Sequence, residues 1–251
     1  MKKNLVFIIF FIFVNLSFAK EKTLTFAFDP YPPYHEKRDG KTTGIFIDII
    51  KELFEKRLNY TLKFQQFPWK RAQSEVEHGT ADFMITVPTK MRLDYSHSIP
   101  TTMTILGAYI YTYVGHPRLL EISKIQTVKD LKKTKLTGIT VLGTKWFEVN
   151  IEPNLKKTHY AYDDTSSIKM LAAKRADIIV VTEGNGDTII KKLKFQSKVI
   201  KTTVNLEPWP FHILFSKKTA NPTLLKQINL TLIKMIEEGF IEKIKEKHKI
   251  E

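Results

Sequence analysis

Thr23-Leu24-Thr25-Phe26-Ala27-Phe28-Asp29-Pro30-Tyr31-Pro32-Pro33-Tyr34 is the place to begin. Residues 23–28 alternate and are rich in aromatics, which predicts a strand. The prolines at 30, 32 and 33 end it, because a prolyl nitrogen has no hydrogen to give a ladder. Gly44 then precedes a helical pattern that sets Phe46, Ile49, Ile50, Leu53, Phe54 and Leu58 on one face. Residues 60–64 read as a second strand. Pro68-Trp69 opens a helix that Gly79 closes, and residues 81–86 form a third strand. The order β-α-β-α-β implies a parallel-type sheet covered by helices.

Further along, residues 104–114 form a long strand-like run, and a second α/β series follows. Thr127 to Asp130 has the form of a capping box. Residues 136–142 predict a strand, with Gly143-Thr144 starting a helix. Residues 157–162 predict a strand, 165–175 a helix and 177–181 a buried strand. Glu183-Gly184-Asn185-Gly186 reads as a turn, and residues 199–204 as a strand leaving this second unit. The tail is helical, with Asn221-Pro222 as cap and first residue and Gly239 as the stop. No flexible linker separates the two α/β units, so short direct crossings near 104–107 and 206–210 are expected to join them.

At the other end, Lys2 and Lys3 precede an apolar run over 5–18 broken only by Asn15 and Ser17, and Ser17-Phe18-Ala19 ends it with small residues. This is the order of a cleavable signal peptide, residues 1–19. About 14 residues are too few for a membrane span. The chain is therefore expected in the periplasm as a soluble protein.

The apolar fraction of 43% suits a folded chain, and 251 residues allow one large domain or two small ones. Without cysteine there are no disulfides, thiolate metal sites or thiol catalysis. The net charge of +14 invites nucleic acid, but 34 lysines against six arginines are spread over many helices rather than one stripe. No nucleic-acid partner is expected. The seven histidines lack metal-type spacing, and neither a metal nor a cofactor is expected. Asp163-Asp164 and Glu237-Glu238 are adjacent pairs whose members point apart, and read as solvated faces rather than catalytic dyads. No enzyme is expected.

Several of these pieces fall in a known order: Tyr31-Pro32-Pro33-Tyr34, Gly44-x-x-x-Asp48, Trp69, Gly79, Asp82, Thr89-x-x-Arg92, Ser98-x-Pro100, Val141-Leu142-Gly143-Thr144, Arg175-Ala176-Asp177 and Glu238-Gly239-Phe240-Ile241. This set resembles the family 3 extracellular solute-binding proteins, the polar amino acid receptors of ABC importers, over essentially the whole chain after residue 19. The resemblance implies an α/β two-lobed type II periplasmic-binding-protein clamshell. Each lobe would be a mostly parallel sheet flanked by helices, and two crossing strands would join the lobes. The expected lobes are residues 20–105 with 209–251, and residues 106–208. Partners implied are a small amino acid or similar carboxylate and the membrane subunits of an ABC importer, with the protein itself a monomer. A receptor feeding a membrane sensor and a dehydratase-like enzyme are the other activities this fold suggests.

By that resemblance Arg92 holds the ligand's carboxylate, which suits a planar guanidinium that forks onto two oxygens. Its removal is expected to cost binding and leave the unliganded melt unchanged. Thr89 and Thr86 add hydroxyls. Trp69, Tyr31 and Tyr34 either flank the ligand or pack in the core. Asp29 either accepts from a cationic ligand group or stabilises its turn. Gly143 and Thr144 either present free N–H groups to the carboxylate or simply cap a helix. Asp48, Asp82 and Asp177 read as structural. Two departures stand out: the loop from Asp82 to Arg92 is about two residues short, and Thr182 stands where the family has its ammonium-binding acid, with Glu183 one place later.

Overall fold

The structure, a computed structural model, describes residues 22–248. The expected signal peptide lies outside them. Eleven strands are described: β1 Thr23–Phe28, β2 Glu36–Arg38, β3 Lys41–Thr43, β4 Thr61–Gln66, β5 Phe83–Thr86, β6 Ser96–Ser98, β7 Thr104–Tyr113, β8 Thr137–Val141, β9 Lys157–Ala161, β10 Ile178–Thr182 and β11 Val199–Ser216. The α-helices are α1 Ile45–Ile50, α2 Trp69–His78, α3 Lys90–Tyr95, α4 Leu119–Ile122, α5 Leu131–Thr134, α6 Lys145–Asn150, α7 Asp164–Ala172, α8 Glu183–Leu193, α9 Pro222–Glu237 and α10 Phe240–Lys247. Helix α1 runs on as a wider coil over Lys51–Arg57.

Sheet order is β4-β1-β5-β11-β7-β10-β8-β9, with β6 also on β11. The wings are parallel: β4, β1 and β5 on one side, β10, β8 and β9 on the other. The two middle strands run antiparallel to their neighbours. The expected crossings are these strands, and they pair with each other: Ile105 opposite Pro210, Leu106 opposite Trp209 and Gly107 opposite Pro208. Between Lys201 and Glu207 their register is irregular. The result is two lobes of parallel sheet joined by an antiparallel pair.

Local sequence explains many of the elements. Gly79 takes a left-handed conformation at φ 76° and ends α2. Thr127 and Asp130 form the predicted capping box. Asn221 accepts from the Leu224 N–H, with Pro222 as first helical residue, and Leu224, Ile228, Leu232 and Met235 are buried along α9. In the first lobe, Phe26, Phe83 and Phe215 stack at 5.1 and 5.3 Å. The three aspartates read as structural are indeed bonded to the frame. Asp82 accepts from the Thr25 N–H, Asp177 from the Thr137 N–H and hydroxyl, and Asp48 meets Lys247 and His248.

One prediction fails. Residues 183–186 are not a turn but the first turn of α8. Glycine there meets a packing need: a Cβ on Gly186 would stand 2.5 Å from the Tyr111 ring. The neighbouring Asn185 donates to the Pro32 carbonyl at 2.9 Å, which a turn would not present in the same way.

Candidate functional site

Asp29 follows directly on β1, where the prolines stop the ladder. The loop then closes on itself: Tyr31 N–H donates to His35 O at 2.7 Å and His35 N–H to Tyr31 O at 3.0 Å. Gly44 packs beneath it at φ 131°, where a Cβ would lie 2.4 Å from the Tyr34 carbonyl oxygen. Asp29 and Tyr31 are thereby turned to a cavity of about 90 Å³ at the junction of the lobes.

Trp69, Thr86 and Arg92 line the cavity from the first lobe. Thr140, Thr144, Trp146 and Asp164 line it from the second, and Trp209 and Phe211 from β11. Arg92 is 3% exposed. Its Nε donates to Gln73 Oε1 at 3.0 Å and Nη1 to the Val87 carbonyl at 2.7 Å, while Trp69 covers the guanidinium with its ring 5.1 Å away. Nη2 has no acceptor among the described residues, although the group can donate five bonds. Burial lowers the Arg92 pKa to about 10, so the guanidinium is still charged at neutral pH. The hydroxyls of Thr86 and Thr140 also bond no group among the described residues, and both residues are buried. The indole N–H of Trp209 is buried without an acceptor among the described residues.

The cavity also holds two carboxylates. Burial, then the nearby Asp164, raise the Asp29 carboxyl well above the usual range. Burial, then Asp163, push Asp164 up to about 7. Burial drives the His35 ring down to about 4, so it is neutral, and its Nδ1 meets the Asp29 carbonyl at 2.8 Å.

Direct contacts tie the lobes around this space. Tyr31 OH and Thr182 Oγ1 are 2.5 Å apart, and Gln73 Nε2 donates to Gly143 O at 3.1 Å. Thus Arg92, Trp69, Tyr31, Thr86, Asp29 and Thr144 come together at the cavity. Thr89 instead caps α3, accepting from the Arg92 N–H at 3.4 Å, so it positions the arginine's helix. Gly143 packs against Lys70 and Gln73 rather than lining the cavity, and Thr144 lacks a side-chain capping bond. Tyr34 is buried behind Tyr31, ring centroids 5.2 Å apart. Thr182 is occupied by Tyr31. Glu183 faces a separate outer groove with Leu106 and Asp187, where Lys201 bonds both acids.

Trp146 and Trp209 were not singled out from sequence, and the reading of Asp164 as part of a solvated face is corrected here, because it lines the cavity. Trp146 and Trp209 sit with centroids 4.9 Å apart. Asp163 and Asp164 do point apart as expected. Asp163 caps α7 by accepting from the Ser166 N–H at 2.6 Å, which leaves Asp164 to face the cavity rather than solvent.

The sequence pattern of the bacterial extracellular solute-binding proteins, family 3, matches residues 24–250. The chain belongs to this family. It is similar to the L-cystine-binding protein TcyJ of Escherichia coli (strain K12), at 22% identity over 222 residues, 86% of this chain and 78% of that protein. Among solved structures it is similar to an ancestral arginine-binding protein bound to arginine, with a TM-score of 0.76, 22% identity, and 90% and 98% of the two chains covered. A histidine kinase sensor domain with similarity to periplasmic binding proteins has the same fold, with a TM-score of 0.78, 19% identity, and 90% and 96% coverage. A solute-binding protein of this family is thus a two-lobed type II receptor. No helix among the described residues is long and apolar enough to cross a membrane.

Proposed function

We propose that the protein captures a small carboxylate-bearing solute, an amino acid or a relative, between its lobes and hands it to the membrane subunits of an ABC importer. The observation that carries this is the buried Arg92 guanidinium, with Nη2 unpartnered at a cavity lined by both lobes. A buried charge without a counter-ion is costly, and a ligand carboxylate supplies one. Thr86 and Thr144 offer hydroxyls to the same carboxylate from opposite lobes. Trp69, Tyr31, Trp146 and Trp209 form the apolar walls. A ligand touching both lobes favours the closed arrangement.

The proposed lobes are residues 20–105 with 209–251, and residues 106–208, moving about β7 and β11. The protein works as a monomer in the periplasm after removal of residues 1–19, and returns its ligand chemically unchanged. The similarity to amino-acid and cystine receptors supports the choice of ligand class.

The test is a thermal-shift screen of the purified protein against amino acids, cystine, small peptides and organic acids, followed by calorimetry. A ligand at 100 times its dissociation constant should stabilise the fold by roughly 2.7 kcal/mol. Arg92→Lys should weaken the best ligand by more than about tenfold. No stabilisation by any carboxylate, or an Arg92→Lys variant that binds as wild type, would sink the reading.

A further inference from the structure

Strands β8, β9 and β10 run parallel, so their starts lie together at one end of the second lobe. Their other ends, at Thr140, Val141, Val180 and Val181, line the cavity. A strand rises about 3.3 Å per residue, so the starts stand roughly 13 Å from it, on the side away from the cleft. Lys132 and Lys135 precede β8, Lys156 and Lys157 stand at the start of β9, and Lys174 and Arg175 precede β10. All six are exposed. The ion pairs of this end use Arg118 and Lys133 instead. Glu121, Asp130 and Asp177 share this end, and each is already bonded: to Arg118, to the Thr127 N–H, and to Thr137 with His116. The sequence scatters these cations over three connections, and the topology gathers them.

Apolar residues stand beside them. Strand β7 runs antiparallel to β10, with Tyr111 opposite Ile179, and delivers residue 114 and helix α4 to the same end. Arg118 donates to the Thr134 carbonyl and so holds α4 beside the start of β8. Leu120 on α4 is 81% exposed and Val114 42%. Free ammonium groups around an exposed leucine match a bilayer interface, where phosphates meet the cations and the leucine reaches the acyl boundary. They match a nucleic acid less well. Lysine lacks the fork with which arginine grips phosphates and bases. The rings of Tyr113 and Phe195 at this end pack on the core beneath Lys174 and Lys198, and offer no open face for a base to stack on.

We infer that this end of the second lobe is a docking surface for an anionic phospholipid membrane, with the six cations over the headgroups and Leu120 at the acyl boundary. The inference goes beyond the capture of a solute and does not depend on Arg92. Held by this end, the protein turns its cleft away from the bilayer, where it can still fill. Its search for a membrane partner then runs over a surface rather than through a volume.

Co-sedimentation with vesicles tests the inference, using protein that starts at Lys20 so that the apolar run over residues 5–18 plays no part. The described fold, residues 22–248, does not include that run. Vesicles of equal phosphatidylglycerol and phosphatidylcholine should bind the protein at least about tenfold more tightly than vesicles of phosphatidylcholine alone. Raising the salt from about 0.1 M to about 0.5 M should release it. Replacing four cations together, Lys132→Gln, Lys135→Gln, Lys156→Gln and Lys157→Gln, should weaken binding by more than about tenfold. A control removes the same charge from exposed lysines of the first lobe, Lys41→Gln, Lys63→Gln, Lys226→Gln and Lys243→Gln, and should cost less than about threefold. Leu120→Ser should weaken binding by about threefold or more at unchanged charge. All these positions are exposed, so the variants keep the fold. No binding to the anionic vesicles, equal losses from the two lysine sets, or a Leu120→Ser variant that binds as wild type would overturn the inference. So would binding to double-stranded DNA without binding to vesicles, which would mark the patch as a nucleic-acid surface.

Discussion

The Tyr31 hydroxyl and the Thr182 hydroxyl lie 2.5 Å apart and bond one lobe to the other at the back of the cavity. Thr182 is fully buried, and losing Tyr31 takes one bond from its hydroxyl, which Tyr34 also approaches. Tyr31→Phe keeps the ring and its stacking on Tyr34. It should weaken ligand binding by about 1–2 kcal/mol, a factor of roughly 5–30. Small-angle scattering should show a larger radius of gyration for unliganded Tyr31→Phe than for wild type. Equal radii would mean that the hydroxyl pair does not hold the lobes together.

Arg92→Ala should lower stability as well as affinity. The expectation of an unchanged melt does not survive the structure, because Arg92 donates to the Val87 carbonyl and to Gln73 inside the protein. An orphaned buried carbonyl costs about 1–3 kcal/mol. For a domain of this size that is a fall in Tm of several degrees, about 2–4 °C per kcal/mol. Differential scanning calorimetry without ligand checks it.

Gln73 joins Arg92 to the opposite lobe, with Oε1 on Arg92 and Nε2 on the Gly143 carbonyl. Gln73→Met keeps the bulk and loses both bonds. Affinity should fall by about five- to tenfold, with less effect on stability than Arg92→Ala. A variant with wild-type affinity would show that Arg92 needs no such support.

Acid should destabilise the unliganded fold through His35. The ring is buried at 3% exposure and its pKa falls to about 4. The unfolded chain takes up this proton near pH 6.5. Stability is therefore fully present above about pH 6.5 and is lost as pH falls towards 4, by on the order of 3 kcal/mol. Urea midpoints measured between pH 7 and 4 should drop more in wild type than in His35→Gln. Parallel slopes would count against a neutral buried imidazole.

Glu183→Gln should leave ligand affinity unchanged within about twofold, since the carboxylate bonds Lys201 in an outer groove. A large loss in calorimetry would mean that α8 rotates on binding and brings Glu183 to the ligand.

Secondary structure was legible wherever a short-range device fixes it, as at Gly79, Thr127 with Asp130, and Asn221-Pro222. Helix α8 was not, because Gly184 and Gly186 carry a turn signal locally. Only the Tyr111 ring, distant in sequence, shows why a helix there needs glycine. Arg92 was picked out by its place in Thr89-x-x-Arg92, and it lines the cavity. Asp164 was hidden as one of two adjacent acids. Nothing in the pair says which one caps the helix and which one turns inward. Trp146 and Trp209 look like ordinary core aromatics until the fold brings α6 and β11 together and sets their rings 4.9 Å apart at a tilt of 58°.

Strand β11 reaches the first lobe only at its far end, where Phe215 pairs with Phe83 and Leu214 with Met84. The apolar edge of β5 therefore has no neighbour until almost the whole chain has been synthesised. Pairings between such distant segments form slowly, and an open apolar edge of this kind is exposed to aggregation meanwhile. The N-terminal part cannot complete its sheet while the ribosome is still making the middle. For the export proposed above that delay is a gain: the strand order itself works as a timer, leaving the sheet of the first α/β unit incomplete until the last strand arrives.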